Sequence, residues 1–162
     1  MDIYALVVFT HVASVVLFFM LHGASMMVAF RVGRERDPDR LRALLDVSRT
    51  ALGVPAIVLV LVGLATGVLA GFMRGWWGEL WIWISLVLFV GVGFAMTPTM
   101  ANPMNAMRVA AGQPNARRPD EAVTENLEEL RRLQAAWNPV PMAVAGIGAL
   151  VLILYLMLVK PF

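Results

Sequence analysis

Residues 3–30 read IYALVVFTHVASVVLFFMLHGASMMVAF, without one charged side chain. A helix of about 20 apolar residues crosses the roughly 30 Å hydrocarbon core of a bilayer. Because lipid offers no hydrogen-bond partner to peptide groups, an open chain crosses that core only as an α-helix. The stretch therefore predicts a membrane-spanning helix, and it decides the class of fold.

Three more apolar stretches follow along the chain. We predict membrane spans at residues 3–30, 51–72, 80–100 and 138–159. Charged residues make up 15% of the 162 residues, whereas an average soluble domain contains about 25%. The prediction is an all-α integral membrane four-helix bundle in the lipid bilayer, forming one domain over residues 1–162. The absence of Cys excludes a disulfide scaffold, a Cys-ligated metal centre and thiol catalysis.

The cations are concentrated in the two long loops, which sets the predicted topology. Of the 13 cations, only Arg74 and Lys160 lie elsewhere. The positive-inside rule places both loops in the cytoplasm and both termini outside, in a bacterial inner membrane. Residues 1–4 contain no cation, so we interpret the first span as a retained helix rather than a signal peptide. The loop arginines account for the pI of about 9.7, and no nucleic-acid partner is inferred.

Each long loop is predicted to contain a short amphipathic cytoplasmic helix. In the first loop, the Asp-Pro pair at residues 37–38 is typical of a helix start. In the second loop, the turn at residues 112–119 ends the third helix, and acidic residues 120–121 open another helix that runs to Trp137. The expected apolar stripe of that helix is Val123, Leu127 and Leu130, and its expected ion pair joins Glu128 to Arg132.

Tryptophans and small residues mark the ends and packing faces of the spans. Four Trp residues between positions 76 and 83 gather at one end of the third span, and Trp137 precedes the fourth, as in an interfacial aromatic belt. Gly63, Gly67 and Gly71 recur every four residues in the second span, and residues 145 and 149 are Ala at the same spacing. Such faces allow close helix approach, within one chain or in a homodimer.

The first span carries two histidines in a repeated pattern. The sequences THVAS (residues 10–14) and LHGAS (residues 21–25) place His11 and His22 eleven residues apart. Eleven residues make three turns and about 20°, so both lie on one helix face, roughly 16 Å apart along the axis. The two rings cannot bind one metal ion, because a metal–nitrogen bond is about 2 Å long. Each histidine therefore predicts a separate site within the membrane.

Methionine sulfur is available at the depth of His22. Met26 follows one turn later, and the third span carries the series Met96, Met100, Met104 and Met107. A His nitrogen with a Met sulfur forms a low-spin haem iron pair, and the same donors suit Cu(I). For haem b we predict binding by His11, His22, Met96, Met100 and Arg31, with the arginine neutralising a propionate. For a metal ion we predict His11, His22 and Met26.

Three functions stay open on these residues. The first is a b-type haem protein for electron transfer or a haem-linked oxidation. The second is copper handling, with Cu(I) bound by His22, Met26, Met96 and Met100. The third is a structural or assembly subunit, in which the histidines hydrogen-bond to other helices and the methionines only pack. The predicted spans contain no Asp, Glu, Lys or Arg, which argues against a carboxylate-coupled transporter.

The layout resembles a group of small four-span bacterial integral membrane proteins. The group comprises an uncharacterised family of predicted membrane proteins, the copper-resistance D-type proteins and the four-helix membrane protoporphyrinogen oxidases. The resemblance is carried by FTHV (residues 9–12), the Arg-rich first loop, LATG (residues 64–67) and the Trp-led third span.

The resemblance implies a dimeric four-helix bundle that holds a b-type haem through His11. The oxidases of the group also use a membrane Lys in a later helix, whereas the only Lys of this chain is Lys160 near its end. His22 goes beyond the shared pattern and predicts a second haem or a different use. The resemblance assigns the chain neither a particular enzymatic reaction nor a redox partner.

Overall fold

The computed structural model describes residues 2–115, 118–120 and 122–161, with the backbone alone at residues 50–52. Within these residues the chain forms α-helices and no strand. The helices are α1 (Ile3–Val32), α2 (Pro38–Val47), α3 (Val54–Arg74), α4 (Leu80–Met96), α5 (Asn102–Ala110), α6 (Leu127–Ala136) and α7 (Val140–Val159). The predicted all-α fold is confirmed.

Four helical stretches of the described chain are long and apolar enough to cross a membrane: Ile3–Val32, Val54–Arg74, Leu80–Ala110 and Val140–Val159. The four-span architecture is therefore confirmed. Many large apolar side chains on these helices are exposed, as expected where the surrounding solvent is lipid. α1 packs along α3, and α4 packs along α7, so the bundle is built from two helix pairs.

The third span is longer than predicted. Its helical backbone continues from Leu80 to Ala110 instead of ending near residue 100. Pro98 lacks the N–H that an α-helix uses, and the chain accommodates it in a π-helical segment at Thr97–Ala101 rather than breaking. The helix ends just before Gly112, whose φ of 79° is left-handed. The predicted turn at 112–119 follows this end, although its residues 116 and 117 lie outside the described residues.

The helix of the first loop begins as predicted. The carboxylate of Asp37 accepts the N–H of Asp39 at 2.9 Å and that of Arg40 at 3.1 Å, with Pro38 in the first helical turn. π-helical turns at Ser48–Gly53 then join α2 to α3 without a break in the helical backbone. The second span, Val54–Arg74, therefore starts three residues later and ends two residues later than the predicted 51–72.

The helix of the second loop begins later than predicted. A start at residues 120–121 is wrong, since α6 begins at Leu127 after the capping residue Asn126; residue 121 itself lies outside the described residues. The backbone N–H of Asn126 donates to the carbonyl oxygen of Ala110 at 2.9 Å. This bond ties the segment to the end of α5 and leaves Val123 outside any helix. A contact distant in sequence thus overrides the acidic start signal.

The surface contacts of α6 shift accordingly. Arg132 binds Glu129 at 2.8 Å rather than the predicted Glu128. Leu130 is buried while Leu127 is 45% exposed, so the predicted apolar stripe packs only in part.

The loop helices and the span ends form a packed layer at the arginine-rich end of the bundle, which we define by residues 31–49, 104–115 and 122–137. The buried core of this layer consists of Val32, Leu41, Leu45, Met107, Ala110, Ala111 and Leu130. The residues come from α1, α2, α5 and α6, together with the residue after α5. The layer therefore joins the two helix pairs at this end of the bundle.

Side chains from α6 and the residue after it satisfy peptide groups at the end of α1. The last carbonyls of a helix have no N–H partner inside that helix. Gln134 Nε2 donates to the carbonyl oxygen of Val32 at 2.8 Å. Trp137 Nε1 donates to that of Ala29, also at 2.8 Å. A Cβ on Gly33 would lie 2.7 Å from the Trp137 ring, so glycine makes room for the indole.

The tryptophan-rich end, defined by residues 74–83, is a packed cluster rather than a simple belt. Trp81 is only 4% exposed, so the prediction of an interfacial anchor is wrong at this position. The Lys160 ammonium lies 3.8 Å from the centre of the Trp76 ring and 5.7 Å from that of Trp81. Trp83 stays exposed and donates to the carbonyl oxygen of Trp77 at 3.0 Å.

Candidate functional site

A polar contact inside the membrane spans joins α1 to α3. Nδ1 of His11 lies 2.8 Å from the carbonyl oxygen of Gly63. A carbonyl oxygen only accepts, so Nδ1 carries the ring proton and donates it. The ring lone pair is then on Nε2, to which no side chain or peptide group of the described residues is hydrogen-bonded.

Glycines of α3 make room for the side chains of α1. A Cβ on Gly67 would lie 2.9 Å from Cε1 of His11 and 3.1 Å from its Nδ1. A Cβ on Gly63 would lie 3.2 Å from Oγ of Ser14. The glycine spacing predicted a close helix approach, and at these two positions the approach occurs within the chain. On α7, by contrast, Ala145 is exposed.

The two short motifs that carry the family resemblance lie against each other. Oγ1 of Thr66, in the LATG motif, lies 3.1 Å from the carbonyl oxygen of Gly63 and 2.7 Å from that of Val62. The Gly63 carbonyl therefore accepts from the His11 ring and lies within hydrogen-bond distance of Thr66. Motifs more than fifty residues apart thus form one site, in which α3 orients the histidine ring.

His22 has different surroundings. Its ring stacks on Phe18 with centroids 5.4 Å apart and an interplanar angle of 23°. The described residues give it no hydrogen bond. Because α1 is one continuous helix, His22 lies roughly 16 Å from His11 along the axis, as the spacing predicted. The structure does not bring the two histidines together, and a neighbouring helix orients only His11.

The predicted methionine ligands do not all lie in the same surroundings. Met107 is buried in the arginine-rich end and Met104 packs against the same core, so the second half of the series is structural. Met96 ends α4 and Met100 lies in the following π-helical segment. A Cu(I) site with His22 and Met26 would therefore bridge the two helix pairs. Among the described residues no group of three His, Cys, Asp or Glu is placed to hold a metal ion.

Each candidate site has one arginine near it, and the two arginines lie at opposite ends of the bundle. Arg31 is exposed at the end of α1, nine residues and about 14 Å beyond His22. It is some 30 Å from the level of His11, so it can serve only the His22 site. Arg74, which sequence analysis did not single out for a site, lies about 10 Å beyond Gly67 along α3. Its guanidinium stands 4.1 Å from the centre of the Tyr4 ring. The signal in the sequence that could have identified Arg74 is its position outside the two arginine-rich loops.

These features define a multi-pass integral membrane protein whose first span presents a histidine held by a neighbouring helix. Over residues 5–161 the chain matches the family described as Predicted integral membrane protein (DUF2269), and it belongs to that family. Neither the curated proteins nor the solved structures include a match to it. The recognised part of the resemblance is thus the uncharacterised membrane protein family.

Proposed function

We propose that the protein is a membrane b-type haem protein in which Nε2 of His11 binds the iron. The supporting observation is the 2.8 Å hydrogen bond between Nδ1 of His11 and the carbonyl oxygen of Gly63. Metal-binding histidines almost always donate their other ring N–H to a carbonyl, carboxylate or water, which fixes the tautomer and the ring orientation. His11 has this arrangement, and its Nε2 lone pair remains for the iron.

The surroundings of His11 suit a flat, largely apolar ligand. Its helix carries no charged side chain between Ile3 and Phe30, and the contact partner on α3 is a glycine. Arg74 is the cation at this end of α3 and would neutralise the propionates. Haem would supply one-electron chemistry, while the chain would fix its axial ligand, set its orientation and exclude water.

The proposal includes a second haem at His22, with Arg31 for its propionates. Two haems roughly 16 Å apart along α1 would carry electrons between the membrane surfaces. This function would link the chain to the copper-resistance D-type proteins and the membrane protoporphyrinogen oxidases. We also propose the bacterial inner membrane as the location, with the arginine-rich end in the cytoplasm and both termini outside.

The same hydrogen bond supports a second candidate function. An imidazole that donates to a carbonyl of another helix stabilises helix association, by about 1–2 kcal/mol in model peptides. His11 would then be a packing residue of a structural or assembly subunit. The two functions differ in whether Nε2 of His11 binds iron.

The test is an absorption spectrum of the detergent-purified protein, oxidised and reduced with dithionite, with a pyridine haemochrome count per chain. The wild type is compared with His11→Ala and His22→Ala, which remove the same side chain from the same helix. We expect a Soret band that His11→Ala abolishes and at least one haem that survives His22→Ala. A colourless, folded wild type from haem-sufficient cells would contradict the proposal and leave the structural role.

A further inference from the structure

We propose that the arginine-rich end carries a binding site for the headgroup of an anionic phospholipid. The site is a groove of about 350 Å³ between the first loop and α6. Its lining includes Glu35, Arg36, Leu41, Leu127, Leu130 and Arg131. The inference does not depend on haem, because it rests on a different part of the molecule.

The charge of the groove matches a phosphodiester. Arg36 and Arg131 are both exposed, and no ion pair joins either side chain to another described residue. The carboxylate of Glu35 turns back on the chain and accepts the N–H of Arg36 at 2.9 Å and that of Asp37 at 3.1 Å. Two guanidinium groups against one carboxylate give the groove a net positive charge. A guanidinium binds phosphate oxygens in a bidentate manner.

Two neighbouring arginines differ in this respect. Arg132 is paired with Glu129 at 2.8 Å, and Arg42 is paired with Asp39 at the same distance. Arg36 and Arg131 thus keep both guanidinium groups free of ion pairs within the described residues, and they line the groove together with Leu127 and Leu130.

The floor of the groove is apolar, which favours a lipid over a soluble phosphate. Leu41 and Leu130 form its buried base, and Leu127 is 45% exposed beside them. A small phosphate compound would leave the exposed side chain of Leu127 in water. The glycerol and first acyl carbons of a phospholipid would cover it, with a gain of roughly 25 cal/mol per Å² removed from water.

The groove also lies where the spans leave the membrane. Arg36 follows Val32, the last residue of α1, by four positions. Gln134, at the other wall, donates to the carbonyl oxygens of Val32 and Glu35 at 2.8 and 2.9 Å, so α6 is held against the end of α1. Basic pockets at the ends of membrane spans bind anionic lipid headgroups.

The test counts lipids bound to the detergent-purified chain by native mass spectrometry. The protein is titrated with dioleoylphosphatidylglycerol, and with dioleoylphosphatidylcholine as the zwitterionic control of equal chain length. We expect one phosphatidylglycerol to bind preferentially. The double variant Arg36→Gln/Arg131→Gln should weaken that binding by roughly 25-fold, since each arginine near an anionic surface contributes about five-fold.

The matched control is Arg34→Gln/Arg132→Gln, which removes the same charge from neighbouring positions outside the groove. It should retain the affinity within about two-fold. Equal losses in the two double variants would show a diffuse surface attraction and overturn the proposal, as would equal binding of both lipids. Added glycerol 3-phosphate should leave the lipid count unchanged, and displacement by it would assign the groove to a soluble phosphate instead. Arg36→Lys/Arg131→Lys keeps the charge and serves if the glutamine variant does not fold.

Discussion

The Cε1 atom of His11 lies 2.9 Å from the position that a Cβ on Gly67 would occupy. The substitution Gly67→Ala therefore forces the imidazole away from α3 and strains its bond to Gly63. Overpacking of this kind costs about 1–3 kcal/mol of folding free energy, and displacement of the proposed iron ligand should also lower the haem content per chain. We expect a matching loss in the free energy of unfolding, measured by SDS titration in mixed micelles.

The control for this prediction is Gly91→Ala. A Cβ on Gly91 meets no atom within 4 Å, so the alanine relieves the backbone entropy cost of glycine without a clash. Gly91→Ala should leave haem content unchanged and stability equal or higher. If Gly67→Ala behaves like Gly91→Ala, the close approach of His11 to α3 does not contribute to the free energy of unfolding.

A second prediction concerns the indole that caps α1. Trp137→Phe keeps an aromatic ring but removes the donor to the carbonyl oxygen of Ala29. We expect a loss of about 1 kcal/mol in the free energy of unfolding, because that helix-end carbonyl is left without this partner. Trp83→Phe also removes an indole donor, but from an exposed position, and should cost about half as much or less. Equal losses would contradict the capping role.

A third prediction concerns a buried cation at the arginine-rich end. Arg108 is 5% exposed, and its Nη2 donates to Oδ1 of Asp46 at 2.9 Å, while Gln113 Nε2 donates to Oδ2 at the same distance. Asp46→Ala leaves the guanidinium buried beside a lost counter-charge and should cost about 3 kcal/mol in the free energy of unfolding. Adding Arg108→Met should recover most of this loss, since an apolar side chain of similar length needs no partner.

The exposed pair of Arg132 and Glu129 provides the comparison for that cycle. Arg132→Ala should change the free energy of unfolding by no more than about 0.5 kcal/mol, because water screens both charges. If the double variant Asp46→Ala/Arg108→Met is as unstable as Asp46→Ala alone, the cost does not arise from the unpaired charge.

A fourth prediction separates haem from copper. Met96→Leu/Met100→Leu replaces the two thioethers that a Cu(I) site with His22 would need. Since these methionines belong to the helix pair opposite α1, we expect unchanged metal and haem content per chain, measured by elemental analysis and haemochrome. Loss of stoichiometric copper from the double variant would favour the copper-handling function over haem.

Local signals predicted a large part of the fold. The length of each uncharged run identified the spans, because each charged residue placed in lipid raises the free energy independently of distant residues. The Asp37 cap was also predictable from local sequence, because its side chain bonds to peptide groups only two and three residues ahead. The common face of the two histidines follows from helix geometry alone.

Distant contacts decided the rest. The start of α6 depends on Asn126 meeting the carbonyl of Ala110, and the burial of Trp81 accompanies the placement of Lys160 beside it. Neither partner is visible in a local window of sequence. Propensity signals therefore misplaced these features where tertiary contacts outweighed them.

The chain by itself determined that it spans the membrane four times and that His11 and His22 lie on one face of the first span. Only the tertiary structure decided that α1 packs along α3, and that the Gly63 carbonyl and the open side of Gly67 orient His11 but not His22. The physical reason is that hydropathy and helix periodicity are properties of one segment. The tautomer and orientation of a histidine ring are set by whichever carbonyl another segment brings within hydrogen-bond distance.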